Sequence, residues 1–126
     1  MLKEIYKIIP VILLSTLAVT INYYYGSIGV LPINTFSYFD PAFRVINGEV
    51  PFVDYWTISG PFIDLLQAFY FSLFGVNWTS YILNGSIINL IVTLVSFYFF
   101  RKLGLNRNYS FFYAACIAIL ANPSMG

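Results

Sequence analysis

Tyr81-Ile-Leu-Asn-Gly-Ser-Ile-Ile-Asn-Leu-Ile-Val-Thr-Leu-Val-Ser-Phe-Tyr-Phe-Phe100, closed by Arg101-Lys102, is a long run without a single charge. The hydrocarbon core of a bilayer is about 30 Å thick and takes about 20 helical residues to cross. The run therefore reads as a membrane-spanning helix with a basic stop. The whole chain has the same character: 60% hydrophobic, 21% aromatic and 9% charged, with a mean hydropathy of +0.79. Soluble domains carry roughly 25% charged residues. The composition implies an all-α, polytopic integral membrane protein.

Working outward, Lys3 and Lys7 lead into an apolar stretch at 8–24. A basic end before an apolar core also describes a secretory signal. This stretch instead ends in Tyr23-Tyr24-Tyr25, which suits an interfacial aromatic belt better than a small-residue cleavage site. It reads as a first crossing, with the N-terminus held in the cytoplasm by its lysines. Residues 61–75 form a short apolar segment containing Asp64 and Gln67, and 109–121 begin another, with Pro123 near its end. Three to four crossings are expected, in one membrane region. The chain stops directly after an apolar run, as an N-terminal piece of a longer protein would, with further membrane helices to follow.

The topology contains a conflict. If 61–75 crosses fully, Arg101, Lys102 and Arg107 fall outside, against the tendency of basic residues to stay cytoplasmic. If that segment only dips into the membrane, they fall inside. Length and composition leave both open, with the full crossing slightly preferred.

Between the first two apolar segments, residues 26–59 form an outer loop reading Asp40-Pro-Ala-Phe-Arg44-Val-Ile-Asn-Gly48-Glu-Val-Pro51-Phe-Val-Asp54-Tyr-Trp56. Asp40-Pro41 has the form of a helix start, an Asp cap with proline at the first helical position. Gly48 would end that helix. Phe39, Phe43 and Ile46 then form one apolar stripe, predicting a short amphipathic helix on the membrane surface.

Four of the five carboxylates, Asp40, Glu49, Asp54 and Asp64, lie in or just after this loop. Charges beside a bilayer are costly unless solvated, paired or used. Two readings stand for Asp40. It caps a helix and pairs with Arg44 one turn on, or it is a surface carboxylate that holds a divalent metal ion or acts as a general base. Arg44 beside it would suit a phosphate. Asp54 is a solvated loop residue or a binding residue. Tyr55-Trp56 either anchor at the interface or stack on a sugar face. Asp64 and Gln67, one turn apart, would orient their helix, and Glu49 would be solvated.

Other chemistries are excluded or weakly signalled. The chain has no His and a single cysteine, Cys116, so imidazole catalysis, His-ligated metal and an intrachain disulfide are ruled out. A net charge of +1 gives no footprint for nucleic acid. Asn77-Trp-Thr79, Asn84-Gly-Ser86 and Asn108-Tyr-Ser110 match the glycosylation acceptor pattern, which is short and common by chance.

Ala42-Phe-Arg44, Gly48-Glu-Val-Pro51, Asp54-Tyr-Trp56, Gly60-Pro61, Leu73-Phe-Gly75 and Arg101-Lys-Leu-Gly104 together resemble the N-terminal part of GT-C-fold polytopic glycosyltransferases, such as protein mannosyltransferases and aminoarabinose transferases. The resemblance covers most of 36–120. It implies transfer of a sugar from a polyprenyl-phosphate donor on the outer face of the cytoplasmic membrane of a prokaryote. An acidic residue in the first outer loop is essential in that family and falls near Asn34-Thr35; Asp40 is the nearest carboxylate here. Arg44, Asp54, Tyr55 and Trp56 would then lie in the substrate or lipid-phosphate region. A chain of 126 residues is expected to be inactive alone. The rival expectation is a non-catalytic membrane protein: a transporter or flippase subunit, or a small structural protein.

Overall fold

The computed structural model describes residues 2–29 and 32–120, with side chains described at 8–29 and 35–120. Five helices follow one another among the described residues: α1 (Leu2–Ile28), α2 (Pro32–Ile46), α3 (Pro61–Phe74), α4 (Trp78–Lys102) and α5 (Arg107–Leu120). No strand occurs among the described residues; Pro51 and Tyr55 form an isolated bridge. The all-α expectation holds. Within α1, the segment Ile8–Ile28 is long and apolar enough to cross a membrane, and so is α4. Among the described residues two helices, fewer than the expected three to four, are long and apolar enough to cross, because α3 has only 14 residues and α5 is described over 14. Ala121 and Pro123, at the end of the fourth expected crossing, lie outside the described residues.

The helix ends are set by local chemistry. Asn77 caps α4: its Oδ1 accepts the Ser80 N–H at 2.9 Å. Asn106 caps α5 in the same way through the Tyr109 N–H at 3.0 Å. Each is an Asn three residues before the donor it satisfies. Gly48 and Gly104, at φ 91° and 90°, end α2 and α4 in the left-handed region. Glu49 N donates to Arg44 O, and Leu105 N to Phe100 O, closing the six-to-one bond that glycine makes accessible at a helix end.

The chain divides into two compact units. One contains α1, α4 from Gly85 onward, and α5. Here α1 and α4 run antiparallel: Leu14 packs with Phe97, Ala18 O accepts from Asn89, and Asn22 Nδ2 donates to Ser86 Oγ at 2.9 Å. α5 runs parallel to α1, since Leu14 clusters with Ala114, and Asn89 also donates to Ala118 O at 3.0 Å. Apart from Pro10, Leu14 and Phe97, the buried side chains are small or polar: Ala18, Asn22, Ser86, Asn89, Thr93, Ser110, Ala114 and Ala118. The exposed ones are oily: Ile12, Leu13 and Val19 on α1, and Ile91, Val95 and Phe99 on α4. Gly85 permits the close approach, because a Cβ there would stand 3.2 Å from Asn22 Nδ2.

The second unit, Ile28–Asn84, is built on the pairing of α2 with α3. Ala42, Ala68 and Phe71 form its core, with Phe39 and Val45 packed against them, and the Phe39 and Phe71 rings lie 4.7 Å apart. Near the start of α4, Asn84 Nδ2 donates to Gln67 Oε1 at 2.7 Å, both residues buried. Two expectations are corrected here. Asp40 is no cap, because α2 begins at Pro32 and runs through Pro41. A proline inside a helix removes one backbone donor; the packing of Phe39, Ala42 and Val45 on α3 carries the helix through it. The buried stripe is therefore Phe39, Ala42 and Val45, while Phe43 and Ile46 are exposed.

Candidate functional site

The polar chemistry of the second unit centres on Arg44, in the last turn of α2. Its Nε donates to Asp40 Oδ2 at 2.8 Å, one turn back, and its Nη1 to Glu49 Oε2 at 3.1 Å. The second contact follows from the cap. The turn at Gly48 folds the residue after it back over the residue four before it, a position normally filled by an apolar pair. Here that pair is Arg44 and Glu49. The three side chains remain well exposed, at 41%, 57% and 38% for Arg44, Asp40 and Glu49. Asp40, first, and Glu49 raise the Arg44 pKa and hold its charge.

Tyr55 lies beneath. The Arg44 guanidinium stands 5.7 Å from the centre of its ring, within cation–π range. The Tyr55 hydroxyl reaches Pro41 O at 3.3 Å and Asp64 Oδ2 at 3.2 Å. Ser59 Oγ donates to the other oxygen, Asp64 Oδ1, at 3.1 Å, and shares a hydrogen bond with Thr57 Oγ1 at 3.3 Å. Asp64 is fully buried in the first turn of α3, where the helix N-terminus favours a negative charge. Burial, then the neighbouring Asp64 carboxylate, pushes the Tyr55 hydroxyl up to about 12.

Of the residues singled out from sequence, Asp40, Arg44 and Tyr55 converge. Asp54 does not join them: its Oδ2 accepts the Val50 N–H at 2.7 Å and closes its own turn. Trp56 is 78% exposed and meets Phe52 edge-on at 5.5 Å. Phe52 has φ 65°, the one left-handed non-glycine among the described residues, so the Phe52–Trp56 pair is presented by a strained turn. Glu49 and Asp64 belong to the network, although the sequence reads them as solvated and merely orienting, and Ser59 joins it with no reading from sequence. The signal for Glu49 was its place just after a helix-ending glycine. For Asp64 it was its place in the first turn after Gly60-Pro61.

Residues 28–84 carry Asp40, Glu49, Asp54 and Asp64 against Arg44, four negative charges minus one positive, or −3. No group of three His, Cys, Asp or Glu side chains suited to a metal ion occurs among the described residues. Asp40 and Glu49 converge on a guanidinium, so they do not fit a metal site. The arrangement offers an exposed cation bracketed by two carboxylates on a braced aromatic ring, with a second aromatic pair nearby. No known protein family, curated protein or solved structure matches the chain.

Proposed function

We propose that this chain is an integral membrane module and the N-terminal portion of a glycosyltransferase-like protein that moves a sugar from a polyprenyl-phosphate donor. Membrane integration is supported by the inverted pattern of the first unit. Its helices bury amides, hydroxyls and alanines and expose isoleucine, leucine, valine and phenylalanine. In water that pattern opposes the hydrophobic effect; between lipid-facing helices, small residues and interhelical hydrogen bonds are what hold a bundle together.

Antiparallel α1 and α4 also favour one topology. If both cross, residues 29–77 begin and end on the same side, so α3 cannot cross alone. The dipping alternative for 61–75 is then preferred, in keeping with its 14 residues. Lys3, Lys7, Arg101, Lys102 and Arg107 then share one side, the cytoplasmic one. Residues 29–77, which carry Asp40, Arg44 and Tyr55, would then connect the two crossings on the other side of the membrane.

The observation that carries the enzymatic reading is the exposed Asp40–Arg44–Glu49 cluster. Arg44 takes a donor phosphate oxygen in its guanidinium fork, which loosens its bond to Asp40. Asp40 accepts the proton of the acceptor hydroxyl as that oxygen attacks the anomeric carbon. The bond from that carbon to the phosphate oxygen breaks, and polyprenyl phosphate leaves. Trp56 and Phe52 offer faces for the sugar. One observation favours a non-catalytic scaffold instead: all four carboxylates already have partners.

Sugar transfer from a labelled polyprenyl-phosphate sugar, assayed in membranes carrying the longer protein of which this chain is proposed to be the N-terminal portion, separates the two. Asp40→Asn is expected to lower transfer by about a hundredfold or more, the usual worth of a general base. Asp54→Asn should leave it within a few-fold of the parent. Unchanged transfer in Asp40→Asn overturns the catalytic role and leaves the scaffold.

A further inference from the structure

In the first unit a groove of about 320 Å³ lies between α1 and α5, lined by Ile9, Pro10, Leu13, Arg107, Asn108 and Phe111. Its walls are apolar, and its polar residues come from the first turn of α5. The surrounding charge is one-sided. Lys3 and Lys7 lie in the turns of α1 just before Ile9, and Arg101, Lys102 and Arg107 flank the turn from α4 to α5. With Glu4 as the one acid in these segments, the sum is five minus one, or +4. Five of the chain's six basic residues thus gather at one end of one unit.

We propose that this groove binds an anionic phospholipid, with an acyl chain along Ile9, Leu13 and Phe111 and the phosphate at the Arg107 end. The inference rests on the reading that α1 and α4 cross the membrane, which brings this end to the lipid headgroups. Two features choose the occupant. An oily slot next to a cation matches a molecule that is apolar along its length and anionic at one end. The charge excess selects against a zwitterionic headgroup, since each basic residue near a headgroup layer contributes about fivefold in affinity for an anionic lipid. The α4–α5 turn is held in shape: Arg101 Nη1 donates to Leu105 O at 2.7 Å, and Gly104 N donates to Arg101 O at 3.2 Å. The cations are therefore presented on a fixed frame.

The test is lipid retention by the purified full chain, read by native mass spectrometry after equilibration with phosphatidylglycerol or phosphatidylcholine of the same acyl composition. Phosphatidylglycerol should be retained at least about fivefold over phosphatidylcholine. Arg107→Gln should reduce that preference about fivefold. Leu13→Trp, which fills the slot and changes no charge, should reduce retention of phosphatidylglycerol several-fold. Lys102→Gln, exposed and outside the lining, is the control for diffuse attraction. Glycerol phosphate without acyl chains should not compete. Equal effects of Lys102→Gln and Arg107→Gln, or retention untouched by Leu13→Trp, overturn the site. Alkaline carbonate extraction of the same variants separates the outcomes. A chain released from membranes fails the membrane reading, and a chain that stays integral without a phosphatidylglycerol preference fails only the lipid site.

Discussion

Replacing Asn89 by alanine isolates the energetics of the polar seam that joins α1, α4 and α5. Asn89 Nδ2 donates to Ala18 O at 3.1 Å and to Ala118 O at 3.0 Å, so one amide clasps the carbonyls of two other helices. Side-chain hydrogen bonds between membrane helices average about 0.6 kcal/mol, which makes the pair worth about 1.2 kcal/mol. Truncation also leaves a void of roughly 40 Å³, costing about 1 kcal/mol at about 24 cal/mol per Å³. Two terms oppose these. Asn89 Oδ1 is buried without a hydrogen-bond partner, and deleting it recovers about 1–3 kcal/mol of desolvation. Alanine is also the better helix former, by up to about 0.7 kcal/mol. The Ala18 carbonyl lies within α1 and keeps its helical donor. Gains and losses nearly cancel, so Asn89→Ala should change the unfolding free energy by about 1 kcal/mol or less. Asn89→Asp is the opposite case. It loses both donors and turns a negative charge on two carbonyl oxygens, costing about 3–5 kcal/mol as an uncompensated buried charge. Both are measured by denaturant titration in detergent micelles, followed by far-UV circular dichroism. A loss above about 3 kcal/mol for Asn89→Ala refutes the cancellation and means that Oδ1 is engaged in the folded protein.

Two further outcomes are expected. Adding bulk at Gly85 should press on Asn22, whose Nδ2 would lie 3.2 Å from a new Cβ; Gly85→Leu should cost about 1–3 kcal/mol in the same titration, and Asn22→Ala in that background should recover part of it. Tyr55 should ionise near 12, seen as the part of the late phenolate absorbance that Tyr55→Phe removes. Because its folded pKa is raised, the stability it contributes is fully present below the ordinary value of 10 and is lost as pH climbs from there through about 12. A Tyr55 step at 10 contradicts the buried bond to Asp64.

The two long helices were legible because a charge-free run has few other uses, and their structural bounds extend the expected ones by a few residues at most ends. The beginning of α2 was not legible. Asp40-Pro41 has all the chemistry of a helix start, but tertiary packing of Ala42 and Phe39 on Ala68 and Phe71 outweighs the single backbone donor that Pro41 removes. The cluster around Arg44 was half legible. Asp40 and Arg44 share a helical face at a spacing of four residues, a relation that survives the misplaced start. Glu49 and Asp64 come together with them only through a left-handed turn at Gly48 and the pairing of α2 with α3, and neither long-range fact is written in a local pattern. The direction of α5 relative to α1 was likewise invisible, because it depends on which small residues meet.

The way Arg44 is shared bears on how the proposed site would act. A guanidinium that gives Nε to Asp40 at 2.8 Å and one Nη1 proton to Glu49 at 3.1 Å still has N–H donors for a phosphate, whose negative charge then competes with both carboxylates for the cation. The two partners are not equivalent. Glu49 is locked to Arg44 by the backbone turn at Gly48, whereas Asp40 is the more exposed of the two and hangs from a side-chain contact alone. An arriving phosphate would therefore loosen Asp40 first, while Glu49 and the Tyr55 ring keep the guanidinium in place. On the proposed reading, donor binding is what frees the base, so an empty site holds its carboxylate neutralised and inert. The price is a weaker donor site in an acidic unit. The same arrangement would give a scaffold a stiff, charge-balanced corner. The two roles part at Asp40→Asn. In the enzyme the amide still leaves Arg44 for the phosphate, so donor binding survives and turnover falls; in the scaffold nothing but a modest exposed ion pair is lost.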